Sequence, residues 1–308
     1  MRAGGDWPDA AEVRDAAFAV AYRMLGSVAE AEDVVQETLI RVHGAAERGE
    51  RVESPRAYAA TVAARLAIDV LRSARVRREA YEGEWLPEPV VSDPSADPEQ
   101  QAEMADSLSL AFLVLLETLS PEQRAALLLH DVFGYGYDEV ARIVGKSEDN
   151  ARQLAARARR HVSDRRPRFQ SSRQQREELA RRFFAAAQEG DLGGLESLLA
   201  HDVSLHGDGG GKVPALARSV HGRGRVARTL VAWMRAGARI PGASLRQVEV
   251  NGQPGAVTLD GEGRVISVMA LDVADGEVVA VRSIVNPEKL GHLGPVADLR
   301  GLLAGRKV

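Results

Sequence analysis

The chain contains no cysteine, so disulfides, thiolate nucleophiles and cysteine metal ligands are excluded, as expected of a protein in a reducing compartment. Long apolar runs are missing too. The opening "MRAGGDWPDAAEV" has no hydrophobic stretch of the kind a signal peptide needs, and no later segment reaches the length that crosses a bilayer. A cytoplasmic protein with no membrane partner is therefore expected. Strong net charge is also absent: a formal −4 and a pI near 6.0 argue against coating nucleic acid by bulk electrostatics. No metal-ligand spacing occurs, so no metal and no cofactor is expected.

At 308 residues and 45% hydrophobic content, the chain can supply separate cores to two or three domains. The average charge hides local basic surfaces. Arginines cluster at "RSARVRRE" and "ARQLAARARRHVSDRRPRF", with acidic residues crowded between them. Residues 12 to 43 read as two helices, the first with Val13, Ala17, Val20 and Met24 on one stripe, ended by Gly26. Ser27 and Glu30 form a capping box, and the next helix buries Ala31, Val35, Leu39 and Val42. A third helix starts at Ser54-Pro55, where the proline's missing N–H costs nothing.

From about Tyr81 to Pro98 the sequence gathers Pro, Gly, Asp and Ser without helical periodicity, which marks a linker. Helices resume afterwards. Ser120 opens one with Gln123 at the capping-box position, "YDEVARIV" stops at Gly145, and Ser147 caps a helix that runs to about Val162. The spacing of the last two helices across "GKS" is that of a helix-turn-helix. Ala151, Leu154, Ala155, Ala158 and Val162 form the apolar face of the second, so Asn150, Arg152, Gln153, Arg157 and Arg160 project outward. Arginine pairs in bidentate fashion with guanine and Asn or Gln with adenine, and the remaining cations neutralise phosphate. In the helix that begins near Ser27, Asp33, Gln36, Glu37 and Ile40 recur at i, i+3, i+4 and i+7 away from the buried stripe, which suits a protein-docking surface. In the third helix Arg65, Asp69 and Arg72 share a face, where Asp69 is placed to pair with both arginines. Arg75, Arg77 and Arg78 follow.

The order "AEDVVQETLIRV", "SPRAYAATVAARLAIDVLRSARVRRE" and "LSPEQRAALLLHDVFGYGYDEVARIVG" resembles regions 2 and 4 of bacterial sigma factors of the extracytoplasmic-function (ECF) class, over residues 10 to 165. The resemblance implies an initiation subunit that lends promoter recognition to core RNA polymerase. The Asp33 surface would meet the clamp of the largest polymerase subunit. Arg65, Arg72, Arg75, Arg77 and Arg78 would serve the melted −10 element, with an unstacked base received by the loop before Ser54. The outward face of the second helix would read the −35 element. Departures from the family's usual pattern are Glu148 and Asp149 at the start of that helix, which repel phosphate, and Ala151 where a larger aliphatic is common. With two modest basic patches, the free protein should bind promoters weakly.

After the basic tail ending near Arg168 come a helix, "REELARRFFAAAQEG", and runs of period-two alternation. "RVISVMALDV" and "EVVAVRSIV" flank Asp275-Gly276 and read as a hairpin. This part resembles a SnoaL-like domain, a cone-shaped α+β fold related to nuclear transport factor 2. "WLPEP" at 85 to 89, "DGGGK" at 208 to 212 and "NPEKL" at 286 to 290 together match sigma factors with a fused SnoaL-like extension. That likeness implies an extension that modulates activity in place of a separate anti-sigma protein. The site residues it implies are Trp85, Leu86, Pro87, Glu88, Pro89, Asp208, Gly209, Gly210, Gly211, Lys212, Asn286, Pro287 and Lys289. Pro87 and Pro89 bias Leu86 and Glu88 toward extended backbone, and burying Trp85 and Leu86 is worth about 2–4 kcal/mol. Such a linker is built to dock, with Lys212 or Lys289 placed to meet Glu84 or Glu88. The other course is for Trp85 to pack back on the helices of its own half.

His206, Asp208, Asp202 and His221 are the groups available for general-base chemistry, yet no enzyme and no catalytic residue is expected. "DGGGK" lacks the spacing of a phosphate-binding loop. The expected fold class is multidomain: two all-α helical sigma domains, the second a helix-turn-helix, followed by the α+β cone. The expected boundaries are 1–80, a linker at 81–103, 104–168, 172–293 and a tail at 294–308. Expected partners are core RNA polymerase, promoter DNA and a small ligand of unknown identity for the cone. The alternative is a stand-alone helix-turn-helix regulator that senses a ligand through its C-terminal domain.

Overall fold

The computed structural model describes residues 10–50, 52, 54–79, 81–92, 107–163 and 172–305, and for 74–79 the backbone alone. Its contacts divide the chain into two units, Met1–Glu79 with Leu115–Arg166 and Ala80–Val114 with Pro167–Val308. The first is helical. Helix α1 (Ala10–Leu25) buries the expected stripe of Val13, Ala17, Val20 and Met24, and Gly26 turns the chain at φ 65°. The Ser27 hydroxyl accepts from the Glu30 N–H at 3.2 Å and starts α2 (Val28–Glu47), which buries Ala31, Val35 and Val42 and half-buries Leu39. Ser54 caps α3 (Pro55–Glu79) through the Ala57 N–H at 3.3 Å.

The unit boundary falls inside α4 (Leu110–Leu116). Helix α5 (Pro121–Leu127) opens on the reciprocal Ser120–Gln123 capping box and runs on into a π turn at Leu128–Val132, which no local signal in the sequence announces. Helix α6 (Tyr137–Val144) ends on Gly145 at φ 69°, and Ser147 caps α7 (Glu148–Ser163) through the Asn150 N–H at 3.3 Å. Buried Arg124 ties α5 to the end of α1: its guanidinium donates to the Met24 carbonyl at 2.5 Å and to Glu117 at 2.8 Å.

The second unit contains β1 (Val91–Ser92), α8 (Arg173–Glu189), α9 (Leu192–Leu198), β2 (Leu199–Asp208), β3 (Val220–His221) and α10 (Arg223–Gly237). It continues with β4 (Ser244–Val250), β5 (Gln253–Leu259), β6 (Val265–Ala274), β7 (Glu277–Ile284) and α11 (Leu299–Leu303). The sheet has seven strands in the order β1-β4-β5-β6-β7-β2-β3, with β2 and β7 parallel and the other pairs antiparallel. Asp275 and Gly276 join β6 to β7 with both φ angles positive, at 51° and 78°, the geometry of a two-residue hairpin turn.

Alternate residues of these strands build two different faces. Ala256, Met269, Ser283 and Gly207 lie in register across β5, β6, β7 and β2, toward the helices that supply Phe183, Phe184, Leu195 and Leu230. The neighbouring row is Val257, Val268, Ile284 and Asp208, on the other face. That face is also apolar, and Leu86, Leu110 and Leu290 cover it. Consequently β6 is buried almost throughout, as in a sheet covered on both sides, and its period-two reading was only half right.

Two expected boundaries shift for the same reason, since apolar side chains beyond them are packed. Leu110 belongs to the C-terminal unit's second core, although it lies within the expected 104–168 domain. The expected tail after 293 is folded through a Val265–Val296 bridge and through Ala297 and Leu299. Phe183 is fully buried, with its ring edge-on to Phe184 at 5.2 Å. Phe183→Ala should destabilise the C-terminal unit by about 3–5 kcal/mol, read by calorimetry as a lower unfolding temperature for that transition.

Candidate functional site

The linker from Tyr81 to Ser92 is part of the C-terminal unit, and Asp208 organises its attachment. This carboxylate, fully buried at the end of β2, accepts from the Tyr81 hydroxyl at 2.5 Å, the Leu86 N–H at 2.8 Å and the Lys289 ammonium at 2.7 Å. Lys289 also donates to the Leu86 carbonyl at 2.5 Å and lies over the rings of Tyr81 and Trp85 at 4.7 and 4.4 Å. Pro287 opens the short turn that delivers Lys289, and Asn286 caps that turn by accepting from the Glu288 N–H at 3.1 Å. The Asn286 amide donates to the Tyr81 hydroxyl oxygen at 2.8 Å. "DGGGK", "NPEKL" and "WLPEP" are thus three parts of one polar cluster.

Leu86 is fully buried among Val248, Val257, Val268 and Ile284, whereas Trp85 is half-buried, so the leucine is the deeper anchor. Pro87, Glu88 and Pro89 are buried as well. The glycines let the linker come close. Gly210 and Gly211 have φ of 56° and 68°, and a Cβ on either would collide with Asn286 or with the Glu82 carboxylate. On Gly209 it would strike the Val213 carbonyl. Beyond Pro89 the backbone itself docks. Val90 exchanges bonds with Asn251, its N–H donating to the side-chain oxygen at 2.9 Å and its carbonyl accepting the Asn251 N–H at 2.8 Å. Val91 and Ser92 then pair with Val250 and Glu249 as an added edge strand. His292 donates to the Pro89 carbonyl at 2.8 Å.

The expected lysine partner of Glu84 and the expected linker partner of Lys212 are corrected. Glu84 meets His206 at 2.6 Å and accepts from Ser219 at 3.0 Å, while Lys212 lies at the surface and pairs with Glu288 at 3.0 Å. Trp85 lies beside Lys289 within the C-terminal unit. Tyr81, Asn251 and His292 were missed. Asn251-Gly252 was the available signal, a dipeptide that favours a tight hairpin turn.

Burial would raise the Glu84 carboxyl, but the hydrogen bond and charge of His206, with Ser219, hold it below its ordinary value of 4.5. Burial, followed by the Asp208 carboxylate, pushes the Tyr81 phenol up. Because the folded-state value of Glu84 is depressed, its contribution is present above pH 4.5 and is lost as pH falls through the lowered value. Glu84→Gln should therefore remove part of the acid-induced loosening of the linker, measured as proteolysis at 81–92 against pH. Lys289→Met should destabilise the unit by about 3–5 kcal/mol, because Asp208 is left buried without its cation. Thermal unfolding should then show much of that loss recovered in the Asp208→Asn, Lys289→Met pair.

On α2, Asp33, Gln36 and Ile40 are exposed, Ile40 at 65%, and Glu37 pairs with Arg41 at 2.8 Å. On α7, Asn150, Arg152, Gln153, Arg157 and Arg160 all point to solvent. Arg152 is engaged by Glu148 at 2.5 Å and stacks on Tyr137 at 4.8 Å, and Arg157 donates to Gln153 at 3.2 Å. The −10 arginines differ from expectation. Among the described residues Asp69 pairs with Arg72, at 3.4 Å, and not with Arg65; Arg72 makes the shorter bond to Glu122 at 2.7 Å, and Arg65 donates to the Arg142 carbonyl at 3.1 Å. Glu122 of α5 shares Arg72 with Asp69, and the Arg142 carbonyl of α6 engages Arg65, all within the helical unit. The side chains of Arg75, Arg77 and Arg78, part of the loop before Ser54, and the tail from Arg165 to Arg168 lie outside the described residues.

His206 and Asp208 are engaged by the linker, and Asp202 and His221 are exposed. Among the described residues no metal-binding cluster forms, and no helix is long and apolar enough to cross a membrane.

Comparisons with known proteins agree with this architecture. Residues 10–77 match sigma-70 region 2, residues 109–162 match sigma-70 region 4, and residues 180–286 match a SnoaL-like domain. The ECF RNA polymerase sigma factor SigJ of Mycobacterium tuberculosis is 40% identical over 304 residues, covering 96% of each chain. The probable ECF RNA polymerase sigma factor SigI of that organism is 30% identical over 278 residues, covering 89% of this chain and 91% of its own. The crystal structure of SigJ aligns with a TM-score of 0.72 at 37% identity, over 91% of this chain and 96% of that one. Likeness over all three parts favours an initiation factor over a helix-turn-helix regulator acting alone. With helical regions 2 and 4 and the appended cone all accounted for, the chain belongs to the ECF RNA polymerase sigma factors that carry a C-terminal SnoaL-like domain.

Proposed function

We propose that this sigma factor is regulated by its own C-terminal domain, which grips the linker between regions 2 and 4 and so limits how far the two can separate. The observation that carries this reading is the burial of Leu86 in the second core of that domain, under the Asp208–Lys289 pair. A linker fixed from Tyr81 to Ser92 leaves a shorter free tether, which narrows the arrangements open to the promoter-binding halves. In this role the domain takes the place of a separate anti-sigma protein and works as a regulator, not as a catalyst.

Core polymerase is met by Asp33, Gln36, Glu37 and Ile40, a surface supported by its exposure and its mixed polarity. Arg65 and Arg72, with Arg75, Arg77 and Arg78, serve the −10 element. Arg152, Arg157 and Arg160, with Asn150 and Gln153, serve the −35 element. Arg65 and Arg72 are occupied within the helical unit, so polymerase must open those contacts before the arginines reach a melted strand. A small ligand of the cone is the signal that adjusts the grip.

Run-off transcription with core enzyme tests the regulatory reading. The Trp85→Ala, Leu86→Ala pair removes about 2–4 kcal/mol of docking and should change promoter output, and unchanged output would remove the idea. The Asp33→Arg, Glu37→Arg pair should weaken core polymerase binding by about ten-fold or more, because it reverses charge at the contact; holoenzyme assembly at normal affinity would argue against that surface.

A further inference from the structure

The helix-covered side of the C-terminal sheet holds a partly open pocket of about 520 Å³, and no linker residue lines it. Its walls are mostly apolar and include Leu216, Trp233, Met234, Ile240, Ile266 and Met269. Thr258 and Ser267, paired across β5 and β6, and Ser283 on β7 add hydroxyls. Among the described residues no charged side chain lines it.

Those properties define the guest. The volume suits a molecule of metabolite or drug size. A buried ion would find no counter-charge here and would meet a desolvation cost far larger than one hydroxyl returns, whereas a ketone or an alcohol finds partners in Ser267, Thr258 or Ser283. No general base or acid faces the space, and a serine without a base is a weak nucleophile, so the guest is held and not transformed.

The cavity also adjoins the linker site through shared backbone. Gly207 faces the cavity and Asp208 the linker; Ser283 faces the cavity and Ile284 the linker core. Leu299 and Leu303 of α11 form part of the wall, and Arg300 between them donates to the Gly211 carbonyl at 3.2 Å, bracing the glycine turn that carries Tyr81 and Glu82. We propose that this cavity is a receptor site for a neutral, mostly apolar small molecule bearing a hydroxyl or carbonyl, bound without chemical change. Its effect on transcription rests on the regulatory reading of the linker, but the binding does not.

The test uses the full chain and two fluorophores of one scaffold, neutral N-phenyl-1-naphthylamine and its sulfonated relative 8-anilino-1-naphthalenesulfonate. The neutral probe should bind at one site per chain and at least about ten-fold tighter than the sulfonate, since the buried anion would be unpaired. Ser267→Phe should abolish its binding by filling the space. Ser267→Asp, which inserts a charge with little change in volume, should do the same, so a folding defect in the bulkier variant does not decide the result. No binding of the neutral probe, equal affinity for both probes, or binding that survives both variants would overturn the site. Run-off transcription is scored separately. Probe binding that follows these expectations while the Trp85→Ala, Leu86→Ala pair leaves output unchanged would sustain the receptor and sink the linker reading alone.

Discussion

The sheet of the C-terminal domain is apolar on both faces; its long helices α8 and α10 pack on one, and Leu290 from the same domain covers the other only together with Leu86 and Leu110. Without that cover Val248, Val257, Val268 and Ile284 would face water as an apolar patch. The segment that answers this need comes from elsewhere in the sequence, the linker carrying Leu86 and the start of α4 carrying Leu110. The C-terminal fold and the linker conformation are therefore one problem in packing. A free linker would leave the sheet unfinished, and a missing sheet would leave the linker without structure.

Polar groups decide where the linker sits. Leucine burial is non-directional and by itself would tolerate sliding, whereas Asp208 accepts from one phenol, one backbone N–H and one ammonium, a set that fits a single register. A buried ion pair of this type adds little net stability over an apolar replacement of equal volume, because desolvation offsets attraction. Its gain is in position. The bonds from Val90 to Asn251 and the short β1 extend that register along the edge of β4.

Much of this was legible before any coordinates. Caps at Ser27, Ser54, Ser120 and Ser147, the glycine stop at 145 and the Asp-Gly hairpin are local signals, and each appears where local chemistry places it. The linker's purpose could be read from Trp85, Leu86 and two prolines, because an apolar, stiffened segment in a polar setting asks for a surface. Its partners could not. Lys289 pairs with Asp208 at the end of β2, and that a lysine and this carboxylate meet at such depth is a property of the assembled sheet. For the same reason the two-sided burial of β6, the pairing of β1 and the packing of α11 have no local signature; each depends on what arrives from the far side of the chain. The −10 arginines show the same limit, since Arg72 has Asp69 one turn away yet makes its shorter bond to Glu122, fifty residues on.

Two surfaces lie back to back on the same strands, one lining the apolar pocket and one occupied by the linker, and the proposed control joins them. The central claim is that Tyr81–Ser92 folds as part of the C-terminal domain. Amide hydrogen exchange in the free full-length chain tests it most directly, through the Leu86 and Val90 N–H groups. The account predicts protection comparable to that of the central β6 and β7 amides, because all would open in one cooperative event. Exchange at the rate of an unstructured peptide, with β6 and β7 still protected, would contradict it.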